Sequence, residues 1–274
     1  MEFHELADRL LAVATEVGRL QMHHYRAGVE VETKSDQSPV TVADRASEAI
    51  IVTALARLDP ETPVVAEEAL SQGAAPESGE RFYLVDPLDG TREFIAGRDE
   101  FTVNIGLIEQ GRPTFGLVYA PALSQLYVTL SRTRAIETGL DPRTTDPALA
   151  NLETRVLATR EPDMTALTVA ASRSHANPRT EELLARYRVA DRISAGSSLK
   201  FCLVAAGRAD FYPRLGRTME RDTAAGHAIL AAAGGSVVTL TGEPLGYGKR
   251  DKAFANPEFL ALGRPEVAGP AIVS

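Results

Sequence analysis

The chain has 274 residues, a formal net charge of −8, and 44% hydrophobic and 24% charged residues. That is the balance of an ordinary globular protein with a sizeable core in one large domain or two closely packed ones, which excludes a disordered chain. The acidic excess argues against a binder of nucleic-acid polymers, which needs a basic face. Cys202 is the single cysteine, so an intramolecular disulfide and a Cys-rich zinc site are excluded as well.

Phe3, Leu6, Leu10, Val13, Val17 and Leu20 recur at spacings of three and four, which predicts an opening helix closed by Gly28. No basic segment precedes an apolar stretch at the start, and no run of about 18 apolar residues occurs anywhere. The expected setting is therefore cytoplasmic, without an integral membrane segment, while peripheral association with a membrane stays open. Val29–Thr33 alternates like a short strand, and Lys34–Pro39 reads as a polar turn. A second helix is expected from Val42 to before Pro60, then a buried strand Val64–Ala66 running into Glu67-Glu68. Ser71–Glu80 is a Gly/Pro/Ser-rich loop, and Phe82–Val85 an apolar strand leading into Asp86-Pro87-Leu88-Asp89-Gly90-Thr91. Val103–Glu109, Thr114–Tyr119 and Gln125–Leu130 read as a meander.

Arg132–Leu157 is weakly patterned, and a boundary is expected inside it, giving an N-terminal subdomain over residues 1–150 and a C-terminal subdomain over residues 151–274. Beyond it come a strand Leu167–Ala171, a helix Arg179–Tyr187, a helix opened by Gly196-Ser197-Ser198, and a strand Ala209–Tyr212. A small-residue helix Ala224–Ala233 and a strand Ser236–Leu240 follow. Alternating helices and short strands indicate a mixed α/β class with layered sheets.

The chemistry concentrates at Asp86–Thr91. The strand is expected to end at Asp86, so that its carboxylate projects from a sheet edge, where α/β proteins tend to bind ligands. Pro87 and Gly90 permit a tight turn that brings Asp86 and Asp89 together, with the Leu88 carbonyl between them. Hard oxygen donors of this kind suit Mg²⁺, and free N–H groups of Gly90 and Thr91 at a following helix would face phosphate. A plain surface turn fits Asp86-Pro87-Leu88-Asp89-Gly90 as well. Taken alone, Glu67 and Glu68 read as a solvated helix start, and Asp222 as an ordinary N-cap. The small residues Ala224-Ala225-Gly226, however, point to a helix start that comes close to another element or to a ligand.

Taken in order, the acidic pair, Asp86-Pro87-Leu88-Asp89-Gly90-Thr91 with Phe94, and Asp222-Thr223-Ala224-Ala225-Gly226 resemble the signatures of the inositol monophosphatase superfamily across essentially the whole chain. Gly196–Cys202, Gly207–Arg214, Thr223–His227 and Ser172–His175 are most similar to the 3′(2′),5′-bisphosphate nucleotidase branch. That branch usually has Trp before the late Asp, where this chain has Arg221. The resemblance implies a layered αβαβα fold of the inositol monophosphatase and fructose-1,6-bisphosphatase type. The implied activity is Mg²⁺-dependent, lithium-sensitive hydrolysis of adenosine 3′,5′-bisphosphate to AMP and phosphate, linked to sulfate assimilation.

By the same resemblance, Glu67, Asp86 and the Leu88 carbonyl hold one Mg²⁺, and Asp86, Asp89 and Asp222 a second. Thr91 and Asp44 orient the attacking water, with Glu67 as a further catalytic residue. Lys34 and Asp36 lie in a loop tied to a third metal, and Glu68 stands behind the ligands. Gly90, Thr91, Gly196, Ser197 and Ser198 are expected to border the substrate, and Lys200 and Arg214 to take a second phosphate. His175 and His227 are expected to be structural or substrate-adjacent. An inositol or sugar monophosphatase is the nearest alternative, and a non-catalytic nucleotide or metal sensor a more distant one. The expected partner is a small phosphate ester, and a homodimer is compatible with the sequence.

Overall fold

The computed structural model describes residues 1–27, 31–33, 39–71, 79–172, 178–269 and 271. The opening stripe folds as α1 (Phe3–Ala27), with Leu6, Leu10, Val13 and Val17 buried. Two short strands, β1 (Val31–Thr33) and β2 (Pro39–Thr41), pair antiparallel ahead of α2 (Val42–Leu58). Gly28, Val29, Lys34 and Asp36 lie outside the described residues, as do most of the Ser71–Glu80 loop and His175.

A seven-stranded sheet follows. Its strands are β3 (Val64–Ala66), β4 (Arg81–Asp89), β5 (Thr102–Glu109), β6 (Arg112–Ala120), β7 (Gln125–Ser131), β8 (Arg134–Gly139) and β9 (Thr154–Val156), in that spatial order. Two short helices, α3 (Glu67–Ser71) and α4 (Thr91–Ile95), flank β4 in sequence. Only β3 and β4 run parallel; the other neighbours are antiparallel.

The second sheet has five strands in the order β11-β10-β12-β14-β13. These are β10 (Leu167–Ser172), β11 (Val189–Ala195), β12 (Phe211–Arg214), β13 (Ser236–Thr239) and β14 (Phe259–Leu262). The helices α5 (Pro178–Leu184), α6 (Leu199–Ala205) and α7 (Glu220–Ala232) complete the chain.

Why the molecule layers is visible along β4. Successive side chains of a strand face opposite ways, and here both faces are covered. Tyr83 and Val85 join a core with Leu10, Leu11, Ile51 and Leu55 of α1 and α2. Phe82 and Leu84 turn to a second core with Phe201 and Val204 of α6, Ile229 of α7 and Phe259. A third core puts Leu183 and Leu184 of α5 on Val169, Phe211 and Leu260. The result is helices, sheet, helices, sheet, helices, the αβαβα order expected.

Three expectations need correction, and two strands lie beyond any of them. Arg132–Leu157 holds β8 and β9, so the first sheet extends past residue 150 to Val156. The strands β11 and β14 carried no clear local pattern. The β4 strand runs on through Asp89 rather than ending at Asp86. Finally, α7 starts at Glu220, which makes Asp222 its third residue and not its N-cap.

Candidate active site

Asp86 and Asp89 share a site because β4 bulges between them. Asp86 pairs with Asn104 but Asp89 with Thr102, so three steps on β4 match two on β5. One extra residue restores the same facing to positions that a regular strand would point oppositely. The bulge is anchored by Leu88 N–H donating to Asp86 Oδ1 at 3.1 Å and by Gln21 donating to the Pro87 carbonyl at 2.8 Å. Gly90 follows at φ 94°, the left-handed region that favours glycine, and turns the chain into α4.

Asp44 and Asp222 are held by one device. Each is the third residue of its helix and reaches back to the preceding cap: Thr41 N–H donates to Asp44 Oδ2 at 2.8 Å, and Met219 N–H to Asp222 Oδ2 at 2.8 Å. One oxygen of each carboxylate is thereby committed to its own helix, and the other faces the site. For Asp44 that oxygen, Oδ1, accepts from the Thr91 hydroxyl at 3.1 Å. Thr91 Oγ1 also lies 3.2 Å from the Leu88 carbonyl.

Asp222 reaches the first sheet because Ala224 and Ala225, just after it on α7, carry almost no bulk. A Cβ on Gly116 would meet the Ala225 carbonyl oxygen at 2.1 Å, and one on Gly106 would meet Ala224 Cβ at 2.7 Å. The Ala224-Ala225-Gly226 run is therefore a close backbone approach, as its composition indicated. On the other side of the cavity, Ser197 and Ser198 both donate to Asp89 Oδ2, Ser198 at 3.3 Å. Ser198 also bonds the Asp222 carbonyl at 2.9 Å.

A cavity of about 110 Å³ opens here, lined by Asp89, Gly90, Ser197, Lys200, Arg214 and Asp222 among others. Lys200 is no solvated surface cation: it is 4% exposed, with Nζ donating to the carbonyls of Ser197 (2.6 Å) and Ala195 (3.2 Å). Burial lowers its pKa to about 8, with Asp89 opposing the shift. Arg214 donates one Nη to the Arg217 carbonyl at 3.2 Å, while its buried Nε finds no hydrogen-bond partner among the described residues.

The carboxylates repel one another in a desolvated setting. Burial first, then Glu67 and Asp89, push Asp86 well above the usual carboxylate range. Burial raises Asp89, with the Ser197 hydrogen bond opposing, and raises Asp222 to about 6, with Arg221 opposing. Asp44 is raised mainly by burial. A cation is the natural relief, and carboxylate and carbonyl oxygens are the donor set that Mg²⁺ prefers.

In this structure the cation among them is Arg221. Its Nη2 is 3.1 Å from Glu67 Oε1, and its Nε is 3.9 Å from Asp86 and 3.7 Å from Asp222. Among the described residues, no three His, Cys, Asp or Glu side chains close in tightly enough to ligate an ion as they stand.

Three residues escaped the sequence reading. Glu48 accepts from the N–H groups of Glu68 and Ala69 and so fixes the start of α3, where Glu67 and the buried Glu68 sit. Glu220, fully buried, accepts from the N–H groups of Gly248 and Lys249 and pairs with the Lys249 ammonium at 2.8 Å. Thr41 was readable, since Thr41-Val42-Ala43-Asp44 has the spacing of a capping box. His227 lies away from the chemistry, its Nδ1 3.0 Å from the Tyr247 hydroxyl.

The model of the inositol monophosphatase family matches residues 2–267. The chain belongs to that family. The 3′(2′),5′-bisphosphate nucleotidase CysQ of Escherichia coli (strain K12) is 40% identical over 256 residues, covering 93% of this chain and 98% of that protein. The Salmonella typhimurium protein of the same name is 42% identical over 241 residues, covering 88% and 92%. Among solved structures, CysQ from Bacteroides thetaiotaomicron superposes with a TM-score of 0.76 at 35% identity, covering 96% of this chain and 98% of that one. An IMPase from Thermotoga maritima gives 0.74 at 26% identity, covering 95% and 94%. The family fold expected from the motifs is thus found in both sequence and structure.

Proposed function

We propose that this chain is a Mg²⁺-dependent 3′(2′),5′-bisphosphate nucleotidase that hydrolyses adenosine 3′,5′-bisphosphate to AMP and phosphate, in the context of sulfate assimilation. The observation that carries the nucleotide over a single-phosphate sugar is the placement of Lys200 and Arg214. Both line the cavity that Asp89 and Asp222 border, and Arg214 keeps a buried Nε–H without a partner among the described residues. A planar guanidinium beside a buried ammonium is a receptor for a second, non-reacting phosphate.

Glu67, Asp86, Asp89, Asp222 and the Leu88 carbonyl are the groups that would hold two Mg²⁺ ions. Mg²⁺ there supplies charge neutralisation at the phosphate and lowers the pKa of water. The remaining work falls to the chain itself. A water set against Thr91 Oγ1 donates to that oxygen while the Thr91 hydroxyl donates to Asp44 Oδ1. Because Asp44 Oδ2 is tied to the Thr41 N–H and hydroxyl, the direction of this relay is fixed, and Asp44 is the terminal proton acceptor. The N–H groups of Gly90 and Thr91, which precede the first bond of α4, from Phe94 N–H to the Gly90 carbonyl at 2.9 Å, face the transferring phosphate. Ser197 and Ser198 steady Asp89 from the far wall.

In this reading the N-terminal subdomain bears most ligands, and the C-terminal subdomain brings Asp222 and the nucleotide contacts. The division is better drawn between Val156 and Leu167, where the sheets change, than at residue 150. The test is a phosphate-release panel with Mg²⁺ on adenosine 3′,5′-bisphosphate, inositol 1-phosphate and fructose 1,6-bisphosphate. The bisphosphate nucleotide is expected to have the highest kcat/KM; a preference for inositol 1-phosphate would overturn the assignment.

A further inference from the structure

The guanidinium of Arg221 sits inside the carboxylate cluster, next in sequence to one of its members. It makes one close pair, to Glu67 at 3.1 Å, and stands at 3.7 and 3.9 Å from Asp222 and Asp86. The side chain is 17% exposed, and its buried Nε has no hydrogen-bond partner among the described residues. This cation is therefore centred on the acidic cluster by charge more than by directional bonding. A guanidinium that is fully committed looks different in the same protein: Arg160 grips Asp210 through Nε and Nη2 at 2.8 and 2.7 Å.

The distances also bear on Mg²⁺, which needs its oxygens at about 2.1 Å. Carboxylates spread around a guanidinium at 3.1–3.9 Å cannot close on so small an ion without the guanidinium leaving. We infer that Arg221 is a displaceable counter-cation, its guanidinium holding Glu67, Asp86 and Asp222 together in the metal-free protein and competing with Mg²⁺ for the same oxygens. The inference rests on the metal assignment of the proposed function. It adds that metal affinity in this chain is set against an internal competitor, and that the metal-free fold is protected from its own carboxylate repulsion.

The test compares wild type with Arg221→Gln and Arg221→Lys, using Mg²⁺ titration calorimetry and thermal melting with and without Mg²⁺. Arg221→Gln is expected to bind Mg²⁺ about tenfold more tightly, the scale of a coupling between two cations at one site. Its metal-free form should melt a few degrees lower, so that it gains more from Mg²⁺ than wild type does. Arg221→Lys, whose compact ammonium cannot fork between carboxylates, should fall between them.

Loss of charge alone would also tighten Mg²⁺, so displacement is read on the wild-type protein. The Arg221 Nε–H resonance, assigned by its disappearance in Arg221→Lys, should move as Mg²⁺ saturates. An Arg221 resonance unmoved at saturating Mg²⁺, or an unchanged Kd in Arg221→Gln, overturns the inference and leaves the metal assignment standing. If Arg221→Gln does not fold without metal, the wild-type resonance decides. Absence of Mg²⁺ binding to wild type and variants alike overturns the metal assignment itself, and the inference with it.

Discussion

Gly116→Ala tests the link between packing and chemistry more sharply than any ligand substitution. The added Cβ would lie 2.1 Å from the Ala225 carbonyl oxygen, 2.9 Å from its carbonyl carbon and 3.0 Å from its Cα. All three are backbone atoms of α7, so no side chain can swing aside. To bring the oxygen contact out to the 3.0 Å that real Cβ atoms respect, α7 must lift off the sheet by at least about 0.9 Å.

Overpacking of a close-packed core costs about 1–3 kcal/mol, and a clash with backbone alone belongs at the top of that range. At about 2–4 °C per kcal/mol for a chain of this size, melting should fall by about 6–12 °C. Differential scanning calorimetry reads this directly. Kinetics at 25 °C should show a lowered kcat as well, because α7 carries Asp222 with it.

The neighbouring Gly106→Ala supplies the control. Its nearest clash is a side-chain methyl, Ala224 Cβ at 2.7 Å, so adding Ala224→Gly should recover part of the loss. Adding Ala225→Gly to Gly116→Ala should recover none. A Gly116→Ala protein that melts within about 2 °C of wild type, or that Ala225→Gly rescues, would refute the close approach.

Thr91→Val keeps the shape and removes the hydroxyl that donates to Asp44, so kcat should drop by about 10²–10³ with KM little changed; an intact kcat with a raised KM would make Thr91 a phosphate anchor instead. Arg214→Ala and Lys200→Met should each weaken kcat/KM for adenosine 3′,5′-bisphosphate by about 1.5–3 kcal/mol, the worth of a charge-assisted contact. Substrates lacking the second phosphate should be spared, and equal losses on both kinds would remove the case for a bisphosphate. Burial holds His227 down at about 3, from an ordinary value of 6.5. The unfolded chain therefore takes up a proton that the fold refuses, and stability contributed by this group is lost as pH falls through that window, by up to about 1.4 kcal/mol per pH unit. Denaturation of His227→Gln should show a flatter acid limb between those two pH values; parallel curves for the two proteins would refute the buried neutral imidazole.

What the sequence revealed depended on how local the cause was. The α1 stripe and the stop of α2 before Pro60 follow from spacing and backbone chemistry within a few residues, and both helices form as expected. The Asp86–Asp89 segment announced itself by composition. Its geometry did not, because a bulge is defined by the partner strand, and Thr102 and Asn104 lie on β5, beyond the intervening α4. Asp222 looked like a cap because the residue that takes the cap position, Met219, has no side chain of the usual capping kind. The strands β11 and β14 gain their identity from neighbours: β11 is largely exposed, with Asp191 interrupting the face that carries Val189, Ile193 and Ala195, and β14 is four apolar residues with no alternation. Arg221 was visible as an unusual residue, but its proximity to Glu67, across some 150 positions, belongs to the tertiary structure.

The placement of α6 and α7 between the two sheets has a mechanical consequence. Thr91, Asp86 and Asp89 ride on the first sheet, while Ser197, Ser198, Lys200 and Asp222 ride on the helical layer pressed against it. The surface of contact between them is smooth where glycine meets alanine, at Gly106 and Gly116 under Ala224 and Ala225. Flanking that seam, Phe82 and Leu84 of the sheet interlock with Phe201 of α6 and Ile229 of α7, so the two layers are keyed together. Asp222 is thereby held over Asp86 and Asp89, and the serine contacts to Asp89 add a further tie between the layers. In such an architecture the gap between the two halves of the site is the thickness of a seam, and four small residues keep that thickness at its minimum.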